Sequence, residues 1–366
     1  MKQPRFFTIA AAVCAGIAPA LYFSQSAAAQ TTGQKPALTA KPTPAVTPTP
    51  TPNGDDEVYK VETDLVNVNV RVVDRNNRPV TGLKQADFHI FEDGAPQKIE
   101  FFSQSEVPTN YSLVIDNSGS LRSQIDQVIE ASKILVNSNK PADETSVIRF
   151  VSSDKIEILQ DFTPSKADLN DALDNLYIEG GQTAIIDAVY LAANRVNEYE
   201  KSAKNKDDRL RRALVLVSDG EDVSSYYTQQ QLFDLLRETD VQIYVVGFVN
   251  DLSKEKGFIT KSKQGKAKSF LERLAAETGG KAYFPNDIGE LNGIAQDIAS
   301  ELRTQYSIGY LPTNDRSDGT YRNLKVTIND GPNNQKRIAI TRSGRTADTP
   351  GNSPGLKASA PATKPN

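Results

Sequence analysis

Two apolar runs that each end in acid and alcohol side chains constrain this chain most. Leu113-Val114-Ile115 is followed by Asp116, Ser118 and Ser120, with Gly119 loosening the backbone among them. A second nearly continuous run over residues 213–217 is followed by Ser218-Asp219-Gly220. Runs of this length without alternation suit strands buried on both faces, the habit of a parallel sheet. In an open parallel sheet, ligands sit beyond the carboxyl ends of the strands. The oxygens therefore stand where a site belongs. With no His or Cys among them, they suit a hard cation such as Mg²⁺, Mn²⁺ or Ca²⁺ rather than zinc.

The pattern around these runs sets the architecture. Over residues 107–303, strand-like runs alternate with helical stripes, among them Ile185, Val189, Ala192 and Val196, and later Leu291, Ile294, Ile298 and Leu302. Thr228 with Gln231, and Asp287 with Glu290, have the spacing of capping boxes. Gly279-Gly280 stops the helix that carries Phe270, Leu271 and Leu274. The spacing predicts a doubly wound α/β domain with a mostly parallel sheet.

On either side the period is two. Val66, Val68, Val70 and Val72 alternate with polar residues, and Asp93-Gly94 signals a hairpin within residues 58–106. Over residues 304–343 three further strands carry Tyr306, Ile308 and Tyr310, then Leu324, Val326 and Ile328, then Ile338 and Ile340. Each β segment alone offers few strands and exposed edges, so the two are expected to meet in one β-sandwich.

The ends of the chain have a different character. Residues 1–29 carry Lys2 and Arg5, a mostly apolar stretch and Ala27-Ala28-Ala29, the pattern of a secretory signal peptide. An uncleaved N-terminal membrane anchor is the alternative. Residues 30–57, with the run Thr47-Pro48-Thr49-Pro50-Thr51-Pro52, read as an extended disordered linker, and residues 344–366 as a loose tail. The expected location is the periplasm or outside the cell, with association with the cell envelope as a further option. Cys14 is the single cysteine and lies in the leader, so no disulfide holds the folded part together. A formal net charge of −4 with both signs intermixed argues against nucleic acid as a partner.

A third piece completes the oxygen set. Gly180-Gly181-Gln182-Thr183 places a hydroxyl just ahead of a helix. A helix cap is the ordinary alternative for Asp116, Ser118, Ser120 and Thr183, and a turn for Asp219-Gly220. Taken in order, Asp116-x-Ser118-x-Ser120, Thr183 and Asp219-Gly220 resemble the metal-ion-dependent adhesion site of von Willebrand factor type A domains. The layout also resembles exported bacterial proteins in which such a domain is flanked by β segments, with a Val-Thr-Gly-Leu…Asp-Phe…Phe-Glu-Asp-Gly stretch, here residues 80–94.

The resemblance implies a Rossmann-like fold and a divalent cation, Mg²⁺ ahead of Mn²⁺ or Ca²⁺, at Asp116, Ser118, Ser120, Thr183 and Asp219. It implies a binding module rather than an enzyme, with no small-molecule substrate, whose ion takes an Asp or Glu carboxylate of a protein partner. Glu221 and Asp222 add negative charge nearby, which would either retain the metal or repel such a partner. The other readings are a Mg²⁺-dependent hydrolase, which lacks an identifiable general base, and a structural module with a degenerate metal site. The only histidine, His89, falls in the N-terminal β segment, far in sequence from the oxygen cluster.

Overall fold

The computed structural model describes residues 65–104, 107–199, 211–252 and 262–347. The expected leader at 1–29, the linker at 30–57 and residues 348–366 of the expected tail lie outside them. The first β segment comprises β1 (Val66–Asp74), β2 (Phe88–Glu92), β3 (Ala95–Gln97) and β4 (Ile99–Ser103). The α/β unit follows, as β5 (Thr109–Asp116), α1 (Ile125–Asn137), β6 (Glu144–Phe150), β7 (Ile156–Thr163), α2 (Lys166–Asp174), α3 (Ile185–Glu198), β8 (Arg211–Ser218), α4 (Gln229–Glu238), β9 (Gln242–Gly247), α5 (Lys263–Thr278), β10 (Ala282–Tyr283) and α6 (Leu291–Glu301). The chain then forms β11 (Tyr306–Tyr310), β12 (Tyr321–Ile328), β13 (Arg337–Ile340) and β14 (Gly344–Thr346).

The central sheet has the order β10-β9-β8-β5-β6-β7. All its pairings are parallel except β6 with β7 at the edge. Strand β5 is buried along its whole length because both faces are covered. Val114 points into one core with Leu214, Leu216 and the apolar sides of α3, α4 and α5. Leu113 and Ile115 point into the other, with Val215, Val217 and residues of α1, α2 and α6. A strand flanked on both faces has no solvent side to mark with polar residues, hence the unbroken apolar runs. The connection from β5 leads to β6 on one side, while β8 leads to β9 on the other. The order thus reverses between β5 and β8, and their carboxyl ends open a crevice at that switch point.

The two β segments pair with each other. β1 lies antiparallel between β11 and β13, and β2 pairs with β12. Two four-stranded sheets result, β13-β1-β11-β4 and β14-β12-β2-β3. Their facing side chains share one core, built on Val68, Val70, Phe88, Ile90, Tyr306 and Ile308. The Asp93-Gly94 turn joins β2 to β3 with φ of 49° and 81°, the left-handed pair that a tight hairpin of this twist requires.

The structure departs from the sequence pattern at residues 344–346. Expected to open a loose tail, they form β14 against β12. Arg345 anchors that pairing on a buried partner, its Nε lying 3.0 Å from Glu92 Oε2 in β2. Among the described residues no helix is long and apolar enough to cross a membrane.

Candidate metal centre

Asp116 is the last residue of β5, and its side chain is closed to solvent. Its Oδ1 accepts the backbone N–H of Ser118 at 2.9 Å, folding the next two residues back over the strand end. That turn brings Ser118 Oγ and Ser120 Oγ to 2.9 Å from each other. Its Oδ2 accepts from Ser218 Oγ at 2.7 Å, across the seam between β5 and β8. Ser218 Oγ in turn accepts the N–H of Gly220 at 3.1 Å, so one serine ties the Asp116 carboxylate to the Asp219 loop. Gly220 has φ of 80°, and a Cβ there would stand 2.7 Å from Leu271 Cδ1. Only glycine lets the loop turn this tightly over α5.

The third loop closes over the same end. The carbonyl of Asn117 accepts the N–H groups of Glu179 and Gly180 at 3.2 and 3.4 Å. Thr183 is buried, and its carbonyl accepts from the N–H groups of Val223 and Ser224 at 2.8 and 3.2 Å. Asp116 at the end of β5 and the three loops that carry Ser118 with Ser120, Thr183, and Asp219 are thus tied together at the carboxyl edge of β5 and β8. The side-chain capping alternative is absent at Ser118 and Thr183, since Ser118 makes no side-chain cap bond and the residue before α3 is Ala184. Asp116 and Asp219 do take the turn role, each carboxylate accepting the N–H two residues on, from Ser118 and Glu221 at 2.9 Å.

The chemistry of this set fits a hard divalent ion. Two carboxylates and three alcohols offer oxygen alone, the preference of Mg²⁺, Mn²⁺ and Ca²⁺. Among the described residues there is no group of three or more His, Cys, Asp or Glu arranged to hold a metal. Burial pushes the Asp116 carboxyl up to about 6; the charge of Asp219 acts in the same direction, against the bonds from Ser118 and Ser218. A nearby cation would offset both effects.

The charges at the rim have partners of their own. Glu221 Oε1 is 2.5 Å from Lys263 Nζ, and Glu179 pairs with Lys155. Asp222 turns inward, where its Oδ1 accepts from Ile186 N–H at 3.2 Å and Ser225 Oγ at 2.5 Å. Glu221 and Asp222 therefore do not form an open negative surface. His89 lies in β2, with Nε2 3.2 Å from Asn329 Oδ1, and takes no part in the site.

Two residues important to this geometry were not among those predicted. Ser218 was visible only as the residue before Asp219. Asp187 sits in the first turn of α3, fully buried, and accepts the N–H groups of Tyr226 and Tyr227 at 2.7 and 2.8 Å. Nothing in a helical stripe marks a single Asp for that task.

The von Willebrand factor type A domain model matches residues 112–297, just over half of the chain. No curated protein sequence matches. Similar solved structures include an aerotolerance-related membrane protein from Bacteroides fragilis, at 19% identity and a TM-score of 0.39, covering 53% of this chain and 98% of that one. A von Willebrand factor type A protein from Catenulispora acidiphila is similar at 12% identity and a TM-score of 0.43, over 70% and 73% of the two chains. Proximal thread matrix protein 1 from the mussel byssus, with zinc in its metal-ion-dependent adhesion site, is similar at 18% identity and a TM-score of 0.41, over 55% and 49%. With its doubly wound sheet and its matched residues, this chain belongs to the von Willebrand factor type A domain family.

Proposed function

We propose that this chain is an exported, non-enzymatic binding module that engages an acidic group of a protein partner through one divalent cation. Asp116, Ser118, Ser120, Thr183 and Asp219 hold the ion, Mg²⁺ ahead of Mn²⁺ or Ca²⁺. Domains of this family commonly bind a divalent metal and protein partners, and are typically interaction modules rather than enzymes. The observation that carries the reading is the linked pair Asp116–Ser218, with the Ser118 and Ser120 hydroxyls gathered beside it at the switch point.

Asp116 and Asp219 supply the negative charge. The three hydroxyls supply neutral oxygens, so the ion keeps its attraction for one further carboxylate. The inward turn of Asp222 and the pairing of Glu221 with Lys263 leave an approaching Asp or Glu little like charge to meet. A hydrolase with a histidine base is disfavoured, because the single histidine lies in the β-sandwich. Export follows from the character of residues 1–29, and attachment to the cell envelope is consistent with it.

Thermal melting of the mature protein in Mg²⁺, Mn²⁺ or EDTA tests this. Millimolar ion at a site of about 0.1 mM affinity adds about 1–1.5 kcal/mol by mass action. Asp116→Ala abolishes that increment if the site is as described. An equal response in the variant would place the ion elsewhere.

A further inference from the structure

Six large apolar residues stand exposed among the described residues, and three of them lie in the loops that surround the Asp116 site. Val223 and Tyr226, 56% and 48% exposed, follow Asp219 on the loop leaving β8. Tyr177, 54% exposed, precedes the Gly180 loop, and its carbonyl accepts from Asn117 Nδ2 at 2.5 Å, next to Asp116. Large apolar side chains concentrated at one edge of a soluble domain mark an interaction surface more often than singly scattered ones.

The backbone that carries these side chains is tied down by hydrogen bonds. Val223 N–H is bonded to the Thr183 carbonyl, and Ser224 Oγ donates to the Gln182 carbonyl at 2.9 Å. Buried Asp187 grips the N–H groups of Tyr226 and Tyr227. Tyr227 is buried and stacks on Tyr190 with ring centroids 3.8 Å apart, and Tyr226 stands edge-on to Tyr227 at 5.4 Å. On the other side, Arg149 lies over the Tyr177 ring at 4.4 Å and donates to its hydroxyl at 2.9 Å. Exposed aromatic groups on fixed backbone lose little freedom on binding, which is what an interface anchor needs.

We infer that Val223 and Tyr226 on one side and Tyr177 on the other form an apolar rim that receives large apolar side chains flanking the partner's acidic residue. This rests on the metal-dependent reading given above. The occupant is a protein segment with an Asp or Glu between bulky apolar residues. A densely acidic segment suits the rim less, because beyond the central acid it would meet apolar surface and ion pairs already closed by Lys155 and Lys263.

The test uses a peptide library with a fixed central Asp and three randomised positions on each side, panned on the mature protein in Mg²⁺ and eluted with EDTA. Enrichment of Leu, Ile, Phe, Tyr or Trp beside the Asp is expected. An enriched peptide should bind about tenfold more weakly to Val223→Ser and to Tyr226→Ser, the usual effect of losing one interface anchor. Both variants should keep the wild-type melting response to Mg²⁺, because neither residue belongs to the proposed ion shell. EDTA-released peptides without the apolar preference, or with equal affinity for the variants, overturn the rim and leave the metal reading standing. So does an intact Mg²⁺ melting response with no EDTA-released peptide at all. Loss of that response in the wild-type protein itself removes the metal reading, and the rim with it.

Discussion

Arg71 Nη1 lies 2.8 Å from Glu301 Oε1, and the two side chains are 6% and 1% exposed. The pair joins β1 of the sandwich to the last turn of α6, across 230 residues of chain. By the alternation of β1, Arg71 should face water; instead it faces the α/β unit. Lys281 adds a second cation, with Nζ 3.2 Å from the same carboxylate oxygen. Arg71→Met would leave Glu301 buried with only that partner, and breaking such a pair costs about 3–5 kcal/mol. We expect the lower end, about 3 kcal/mol, because Lys281 remains. The double variant Arg71→Met/Glu301→Leu should recover most of the loss, since no lone charge is left inside. Urea melts of the three proteins decide it: a single variant that unfolds at the wild-type midpoint would show that the joint is not closed to water.

Arg345 offers the same test at the other end of the described chain. Glu92 is 3% exposed and receives Arg345 Nε at 3.0 Å as well as the hydroxyl of Tyr310. The contact links β14, β2 and β11 within the sandwich. Arg345→Ala should destabilise the protein by about 2–4 kcal/mol, because it leaves a buried carboxylate with one neutral donor. Were residues 344–346 a free tail, the substitution would leave the melting temperature unchanged.

These two pairs also mark where sequence reading stops. Strands β5, β8 and β9 were legible because burial on both faces writes itself as an unbroken apolar run. The Thr228–Gln231 capping box was legible because its geometry is local, and both of its bonds form at the start of α4. Asp287 and Glu290 form their box on a short 3-10 turn, Ile288–Glu290, which feeds α6 rather than capping it directly. Strand β7 is an edge strand whose Ile156, Ile158 and Phe162 meet one core while Leu159 meets the other, and irregular pairing with β6 breaks the alternation around Gln160 and Asp161. Strand β14 has no apolar pattern whatever; its place depends on Glu92, distant in sequence. At the site, the residues that offer oxygen could be picked out by spacing. Ser218, which aims Asp116, and Asp187, which holds the loop after β8, could not, because their partners lie on other elements.

Asp187 is expected to govern the loop after β8. Its two oxygens satisfy the N–H groups of Tyr226 and Tyr227, one each. Asp187→Ala would leave one buried and one part-buried backbone donor unpaired, a loss of about 1–3 kcal/mol. Asp187→Asn should cost about half as much, since one oxygen can still accept while the amide nitrogen confronts a donor. Hydrogen exchange at the Tyr226 and Tyr227 amides should quicken in both variants, more in the alanine one. Unchanged protection at these two amides would mean that the loop is held by its other bonds alone.

Ser218 separates orientation of the ion's ligands from general stability. Its hydroxyl is fully buried, donates to Asp116 Oδ2 at 2.7 Å and accepts from Gly220 N–H at 3.1 Å. It touches the carboxylate that would hold the ion without standing among the proposed ligands itself. Groups in that position typically alter metal affinity by about 10–100-fold when removed. Ser218→Ala should therefore still respond to Mg²⁺ in a melting titration, but with its midpoint about tenfold higher in ion concentration. Asp116→Ala, by contrast, should show no response at any concentration. The control is Ser112→Ala, which removes another fully buried strand hydroxyl, one that lies 2.5 Å from Ser146 Oγ and away from the crevice. That variant should melt lower while its Mg²⁺ midpoint stays at the wild-type value. If Ser112→Ala and Ser218→Ala shift the midpoint equally, the effect is one of lost packing, and Ser218 has no particular part in aiming Asp116.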